Sequence, residues 1–307
     1  MHLTFETVVD LVCTAIIGWV CLRYVLFYLI KGIFLLIKSF ILFLFKGIPN
    51  RIHEAKEFKL REENEAKQRA AKQKAAEQKE AEQRAIYEQY TAPLIPPVIP
   101  DTSAINHFLI SRGITRLVHF TKAENLLSIF SHGLVPNSEL ASIGQEAAIN
   151  DQKRFDGNRR ANCLSVEFPN YKLFNSFRGP SNAWVVLCLN PTLLNSHKSL
   201  FFPQNASSLS MKRAGRIFDG LSDFEAMFSG NDGHGGIPLS YTTNPQAEVQ
   251  VFGRIMPSFI YAVLFPNLDE LQKWKYLIPN SVAVRVDKSV FEKRSDWALW
   301  SNMGRNN

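Results

Sequence analysis

An α+β domain behind two long helices is the architecture this sequence predicts, and three observations predict it. Residues 7–45 are almost continuously apolar, residues 53–90 are almost wholly charged or small helix formers, and from about residue 101 short alternating apolar runs are separated by turn-rich stretches. With 307 residues, 46% hydrophobic and 21% charged, there is enough chain for one sizeable globular domain plus appendages. The composition changes divide it into a membrane-anchoring segment 1–46, a charged helical spacer 47–92, a Pro-rich linker 93–104 and a globular domain 105–307.

The apolar run exceeds the roughly 20 residues that a bilayer-crossing helix needs. It lacks a basic leader and a small-residue cleavage site, so it reads as retained. Arg23, Lys31, Lys38 and Lys46 are spaced eight, seven and eight apart, which keeps them on one broad helical face. Two arrangements suit that stripe: a helix lying in the interface, or a span over about Leu11 to Ile30 with Arg23 snorkelling and the lysines on an interfacial continuation. Glu6 and Asp10 precede the segment while Lys46, Arg51, Lys56 and Lys59 follow it, which places the C-terminal side in the cytoplasm.

The spacer pairs Glu57 with Arg61, Glu63 with Lys67, Glu65 with Arg69 and Glu80 with Arg84, each four apart in the favourable orientation. Such a helix persists in solvent without a core. Heptad leucines are missing, so a tight coiled coil is not specified and weak, Ala-lined self-association is the most the pattern supports. The four prolines of "TAPLIPPVIP" then end the helix.

In the globular part, "TRLVHF", "NCLSVEF", "AWVVLCLN", "AEVQVFGRI", "FIYAVLF" and "SVAVRVD" read as strands, and "KAENLLSIFSHGL" as a short amphipathic helix stopped by Gly133. Most of the rest is loop, which suggests a small curved sheet carrying functional loops. Net charge is +7 overall, but the excess over residues 101–307 is only about +4, a weak pointer to anionic partners. The cysteines, Cys13, Cys21, Cys163 and Cys188, have no metal-ligand spacing. No phosphate-binding loop, dinucleotide fingerprint or catalytic serine motif is present.

Three places carry chemistry. His119 and Thr121 end a strand ahead of a helix N-terminus, a position suited to a ribose hydroxyl and a phosphate, although a lone histidine is ordinarily structural. "NDQKRFDGNRR" offers Arg154, whose fork of donors fits phosphate or a base edge, with Arg159 and Arg160 as a solvated loop or as contacts to a nucleic-acid backbone. Glu248 stands at the start of an apolar alternating strand, below the Gly-rich stretch "SGNDGHGGIPLSYTTNPQ". An inward carboxylate there is costly unless paired.

Taken in order, "ITRLVHFTKAENLLSIFSHGLVP", "NDQKRFD", "CLSVEFPNYKLFNSFR" and "NPQAEVQVFGRI" resemble the DarT-type DNA ADP-ribosyltransferases, toxins of toxin–antitoxin pairs, over about residues 105–266. The resemblance implies an ADP-ribosyltransferase fold of two small facing sheets with long loops, holding NAD as co-substrate in a bent shape, with no metal. It implies that His119, Thr121 and Asn125 bind NAD together with Arg154, that Arg154 and Glu248 are catalytic, and that residues 229–247 recognise the substrate.

A base is reached only in a single strand or after flipping, so the groove should offer stacking and phosphate contacts. Phe174, Phe177, Arg178, Lys212, Arg213 and Arg216 are candidates beside Arg159 and Arg160, with core packing the alternative for the two phenylalanines. The expected partners are single-stranded DNA or another nucleic acid, a membrane and a macrodomain-type antitoxin. Together with the apolar segment, the resemblance implies a toxin or phage-defence effector at the bacterial inner membrane, single-pass or interfacial, with the catalytic domain in the cytoplasm. The same chemistry on RNA or protein, or an inactive binding module, are the alternatives.

Overall fold

A computed structural model describes residues 5–46, 48–144, 157–177, 183–232, 237–294 and 296. The chain divides into two compact units, Met1–Glu82 and Gln83–Asn307.

The first unit is helical. Helix α1 runs Phe5–Lys46 with no buried residue, and its large apolar side chains stand exposed from Phe5 to Phe45. By length and composition it is long enough and apolar enough to cross a membrane. Arg23 lies over the Trp19 ring, 4.9 Å from its centroid. Helix α2 spans Ile48–Thr91, and the Arg61–Glu57 and Arg69–Glu65 pairs close at 3.6 and 3.2 Å. Both are solvated, so each adds little to helix stability.

The second unit is built on one seven-stranded sheet of order β4-β5-β2-β1-β3-β6-β7. The strands are β1 (Leu117–Lys122), β2 (Ala161–Val166), β3 (Trp184–Leu189), β4 (Ser199–Phe202), β5 (Glu248–Phe252), β6 (Ile260–Phe265) and β7 (Ala283–Val286). All pair antiparallel except β6 with β7. Six coincide with the short apolar or alternating runs read as strands in the sequence. The seventh, β4, is four residues, "SLFF", ended by Pro203, with neither alternation nor β-branched residues to mark it.

Alternation sorts the core onto two faces. Leu117, Leu164, Val185, Leu187, Val249 and Val251 face one cluster. It is roofed by α3 (Ala104–Arg112), α4 (Leu126–His132), α7 (Leu221–Ala226) and α8 (Leu268–Trp274), through Leu109, Leu126, Ile129, Phe224 and Leu271. Val118, Trp184, Val186 and Leu264 face the other cluster, covered by α5 (Tyr171–Phe177) and by Val290 and Phe291. Gly133 ends α4 at φ 86, and a Cβ there would collide with the carbonyl oxygen of Ile255. Glycine is required because Leu134 and Ile255 form a two-way bridge, with N–O distances of 2.9 and 3.0 Å.

The two small sheets expected from the resemblance are the halves of this one sheet. Strands β1 and β2 pair only at Leu117↔Val166 and Val118↔Ser165, while β1–β3 pairs over six positions and β2–β5 over four. Beyond Val118 the halves part. The narrow end is locked by Glu167, at φ 58 the one non-glycine residue of positive φ among those described. Its carboxylate accepts from the Thr115 main-chain N–H, from Thr115 Oγ1 at 3.0 Å and from Arg116 N at 3.1 Å, and it pairs with Arg116 Nε at 3.3 Å. That set of bonds offsets a backbone strain on the order of 1–3 kcal/mol.

The far edge strand, β7, is wrapped by the start of the unit. Tyr90 and Ile99 pack against the first cluster and Leu94 against the second, so residues 90–99 pass around the edge. Arg285 Nε donates to Ala92 O at 3.0 Å and Lys275 Nζ to Tyr90 Oη at 3.3 Å. An open strand edge invites pairing with other chains, and this strap covers it.

Candidate active site

Of the singled-out residues, His119 and Glu248 stand on the two half-sheets close to the line where β1 and β2 stop pairing. His119 is the first residue of β1 past the last β1–β2 pair. Its ring turns sideways, and Nδ1 lies 2.9 Å from the carbonyl oxygen of Cys163 on β2. A carbonyl only accepts, so Nδ1 carries the proton in this contact. Two residues on, Thr121 is buried and its Oγ1 accepts from Asn125 Nδ2 at 3.0 Å. Asn125 is the residue before α4 and makes no side-chain cap to it. Thr121 and Asn125 are therefore joined at the start of a helix, with His119 two residues earlier on the same strand.

Glu248 opens β5 from the other half-sheet. Extending the β2–β5 register by one position sets it level with Ser165, whose partner is Val118. His119 is thus one row on and two strands across, on the order of 10 Å at the main chain. Alternation places Glu248 on the face away from the first cluster, opposite to Val249. The carboxylate is 8% exposed. Oε2 accepts from Ala206 N at 3.2 Å and Oε1 from Gln250 Nε2 at 3.0 Å. Gln250 is fully buried and its own oxygen accepts from Asn158 Nδ2 at 2.6 Å. Since Asn158 fixes that oxygen, the amide nitrogen must face Glu248. Two donors thus hold the carboxylate in place, meeting the cost of its burial. The two halves also meet here, because Cys163, which takes the His119 contact, is the register partner of Gln250.

Arg159 and Arg160 are exposed in the turn entering β2, at the wide end of the gap. Lys212 and Arg213 are exposed in the last turn of α6 (Leu209–Arg213), shortly after the Ala206 amide that binds Glu248. Exposed cations therefore stand at the entry to β2 and, on α6, a few residues after the amide that binds the carboxylate. Arg216 is committed elsewhere, paired with Asp223 at 2.6 Å and 4.1 Å above the Phe218 ring. Phe174 is 1% exposed and packs on Phe120, Trp184 and Phe291, so of the two readings open for it, core packing holds. Arg154 and Arg178 lie outside the described residues, and Phe177 is the last residue of α5.

The stretch before Glu248 is loop where described, as its turn residues imply, and it is held at both ends. Asn231 Nδ2 donates to Pro238 O and Tyr241 O at 3.0 and 2.7 Å, while Arg112 Nη2 on α3 donates to Asn231 O at 3.0 Å. Burial lowers the Arg112 guanidinium from its usual range. At the other end, Arg294, itself paired with Asp296, donates to Thr242 Oγ1 and to Thr243 O. Gln250, Asn158, Arg112 and Arg294 were not singled out from the sequence. An amide two residues along an apolar strand from Glu248 was the readable signal for Gln250; the others join the site from distant segments. Among the described residues no group of three His, Cys, Asp or Glu could hold a metal, and burial pushes the Cys188 thiol up to about 11.

No curated protein matches the chain. Solved structures that match the chain include Thermosipho africanus DarTG in complex with ADP-ribose, at 14% identity and TM-score 0.43, covering 57% of this chain and 50% of that one. Thermus sp. 2.9 DarT in complex with NAD+ aligns at 10% identity and TM-score 0.42, covering 58% and 98%. The same Thermus protein with ADP-ribosylated ssDNA aligns at 11% and 0.39, covering 59% and 97%. This chain thus spans half the length of the Thermosipho chain. The family model "ssDNA thymidine ADP-ribosyltransferase, DarT" matches residues 118–298, more than half of the chain. That match begins one residue before His119 and runs through both half-sheets and the loop between them: the chain belongs to the DarT family of ssDNA thymidine ADP-ribosyltransferases.

Proposed function

We propose that this protein uses NAD to place ADP-ribose on a nucleobase of single-stranded DNA, acting from a membrane as a toxin or phage-defence effector. The observation that carries the reading is Glu248: a buried carboxylate held by two donors at the edge of a gap, inside the span matched by the family. In the transfer, the bond from the nicotinamide nitrogen to ribose C1′ breaks and its electron pair leaves with nicotinamide. Positive charge develops at C1′, and Glu248 stabilises it electrostatically. A base ring nitrogen gives up its proton to solvent, Arg154 stabilises the anion so formed, and the anion's electron pair bonds to C1′. His119, Thr121 and Asn125 hold NAD from the β1 side. Arg159, Arg160, Lys212 and Arg213 take the phosphates of the strand, with Phe177 and Arg178 beside them.

The family description makes thymidine the first base to test. The exposed apolar α1 supports membrane attachment, and the charged α2 supports a solvated spacer. The Thermosipho DarTG structure supports looking for an antitoxin that binds this domain. Mass spectrometry of a thymidine-containing single-stranded oligonucleotide incubated with NAD and the protein tests the activity. A mass increase of one ADP-ribose on the oligonucleotide is expected. Label on protein or RNA alone would overturn the DNA reading, and NAD left intact would overturn the enzyme reading.

A further inference from the structure

The C-terminal segment contributes a charged pair that the proposed chemistry does not use. Arg294 is 2% exposed and Asp296 5%. Arg294 Nε and Nη2 donate to the two carboxylate oxygens of Asp296 at 2.6 and 2.5 Å. Its remaining donors turn to the loop before Glu248: Nη1 to Thr242 Oγ1 at 3.4 Å and Nη2 to Thr243 O at 3.2 Å. The guanidinium also lies 5.4 Å from the Tyr241 ring centroid. A buried ion pair is a poor way to add stability, since apolar residues of the same volume usually do as well. What a bidentate fork does supply is a fixed direction for its other donors.

Those donors act on a chain of bonds leading to Glu248. Thr242 Oγ1 donates to Asn244 O at 2.9 Å. Asn244 Oδ1 accepts from Gln246 N at 2.8 Å and Asn244 O from Ala247 N at 2.9 Å. The next residue is Glu248, already fixed in β5. On its other side Thr243 N donates to Met227 O at 2.9 Å. The loop is therefore held at its end nearest the carboxylate by a group from the last described segment of the chain, 51 residues away.

We propose that Arg294, oriented by Asp296, is a positioning residue that sets where the loop before Glu248 presents the acceptor nucleotide, and so governs acceptor binding more than NAD cleavage. This rests on the proposed function for its substrate and on geometry alone for the clasp. Arg294 touches neither NAD nor the acceptor. Loosening it leaves Glu248 and the NAD side of the gap in place, because those are held by Ala206, Gln250 and Cys163.

The test uses the full chain in mild detergent, as wild type, Arg294→Lys, Thr242→Val and the double variant Arg294→Met with Asp296→Leu. Amide hydrogen exchange over residues 241–247 is expected to rise by roughly tenfold or more in the double variant, with the β3 and β6 amides unchanged. The KM for the oligonucleotide should rise about tenfold while NAD hydrolysis without acceptor stays within about twofold. Arg294→Lys, keeping charge without the fork, should restore only part of the loss, and Thr242→Val should move both readings in the same direction if the double variant does not fold. Unchanged exchange over 241–247 would overturn the clasp, as would hydrolysis and transfer falling in equal proportion. Should wild type leave NAD intact, the functional reading falls, and the exchange measurement still decides the clasp.

Discussion

His119 Nδ1 sits 2.9 Å from the carbonyl oxygen of Cys163, across the line where β1 and β2 stop pairing. One side chain thereby occupies the place of the next ladder bond and holds the half-sheets apart at a set width. His119→Ala should weaken NAD binding by roughly tenfold, near 1.4 kcal/mol, read by calorimetry. Because the Cys163 carbonyl also loses its partner, stability should fall by about 1 kcal/mol. Unchanged NAD affinity would remove His119 from the cofactor side of the site.

Glu248→Gln should reduce transfer by about two to four orders of magnitude, since the positive charge at C1′ loses its opposing carboxylate. The variant is not purely a charge probe. Ala206 N–H and the Gln250 amide both donate to Glu248, and a glutamine there must turn its own NH2 toward one of them. A stability loss of about 1–3 kcal/mol is expected from the opposed donors, so activity should be normalised to the folded fraction from a urea titration. Wild-type turnover would end the catalytic assignment.

Gln250→Leu removes the donor to Glu248 and the acceptor for Asn158, putting an apolar side chain of similar size in a fully buried site. Its expected signature is a kcat lower by roughly tenfold with the KM for NAD unchanged, the mark of an interaction that matters as charge develops. Asn158→Ala should reproduce part of the effect, because it frees the Gln250 amide to flip. Steady-state kinetics at saturating oligonucleotide read both; a change in KM alone would make Gln250 a binding group.

The folded catalytic unit begins before the prolines. A chain starting at Gln83 should be more stable than one starting at Asp101 by about 2–4 kcal/mol, the contribution of the partly buried Tyr90, Leu94 and Ile99 at typical burial values. Equal urea midpoints would show that the strap adds nothing.

Deleting residues 1–46 should move the protein from the membrane fraction to the soluble fraction while NAD cleavage persists in vitro. Retention on membranes after a high-salt wash would place the attachment elsewhere.

The sequence made some of this legible and hid the rest for physical reasons. Glu248 stood out because a carboxylate interrupts an apolar alternation, and six of the seven strands because each is a short apolar or alternating run bounded by turn residues. The expectation of two small sheets anticipated the halves but not the joint, since a pairing of two positions leaves no mark on composition. Strand β4, "SLFF", has neither alternation nor β-branched residues to mark it. Phe174 and Phe177 looked alike as exposed or buried aromatics until the helix phase of α5 put Phe174 on the core. Arg294, Arg112 and Asn158 were invisible because their roles depend on partners 52, 119 and 92 residues distant. The Pro-rich stretch read as a linker, yet Leu94 and Ile99 within it pack against the core.

The strap also sets an order of events at the ribosome. Ala92 is held by Arg285, 193 residues later in the chain, so the first part of the catalytic unit to be synthesised waits for nearly the last. At about 5–20 residues per second that delay is on the order of 10–40 s. Arg294, which grips the loop before Glu248, emerges later still. A nascent chain whose hydrophobic segment is already out therefore cannot close its wrapped sheet edge until Arg285 has followed.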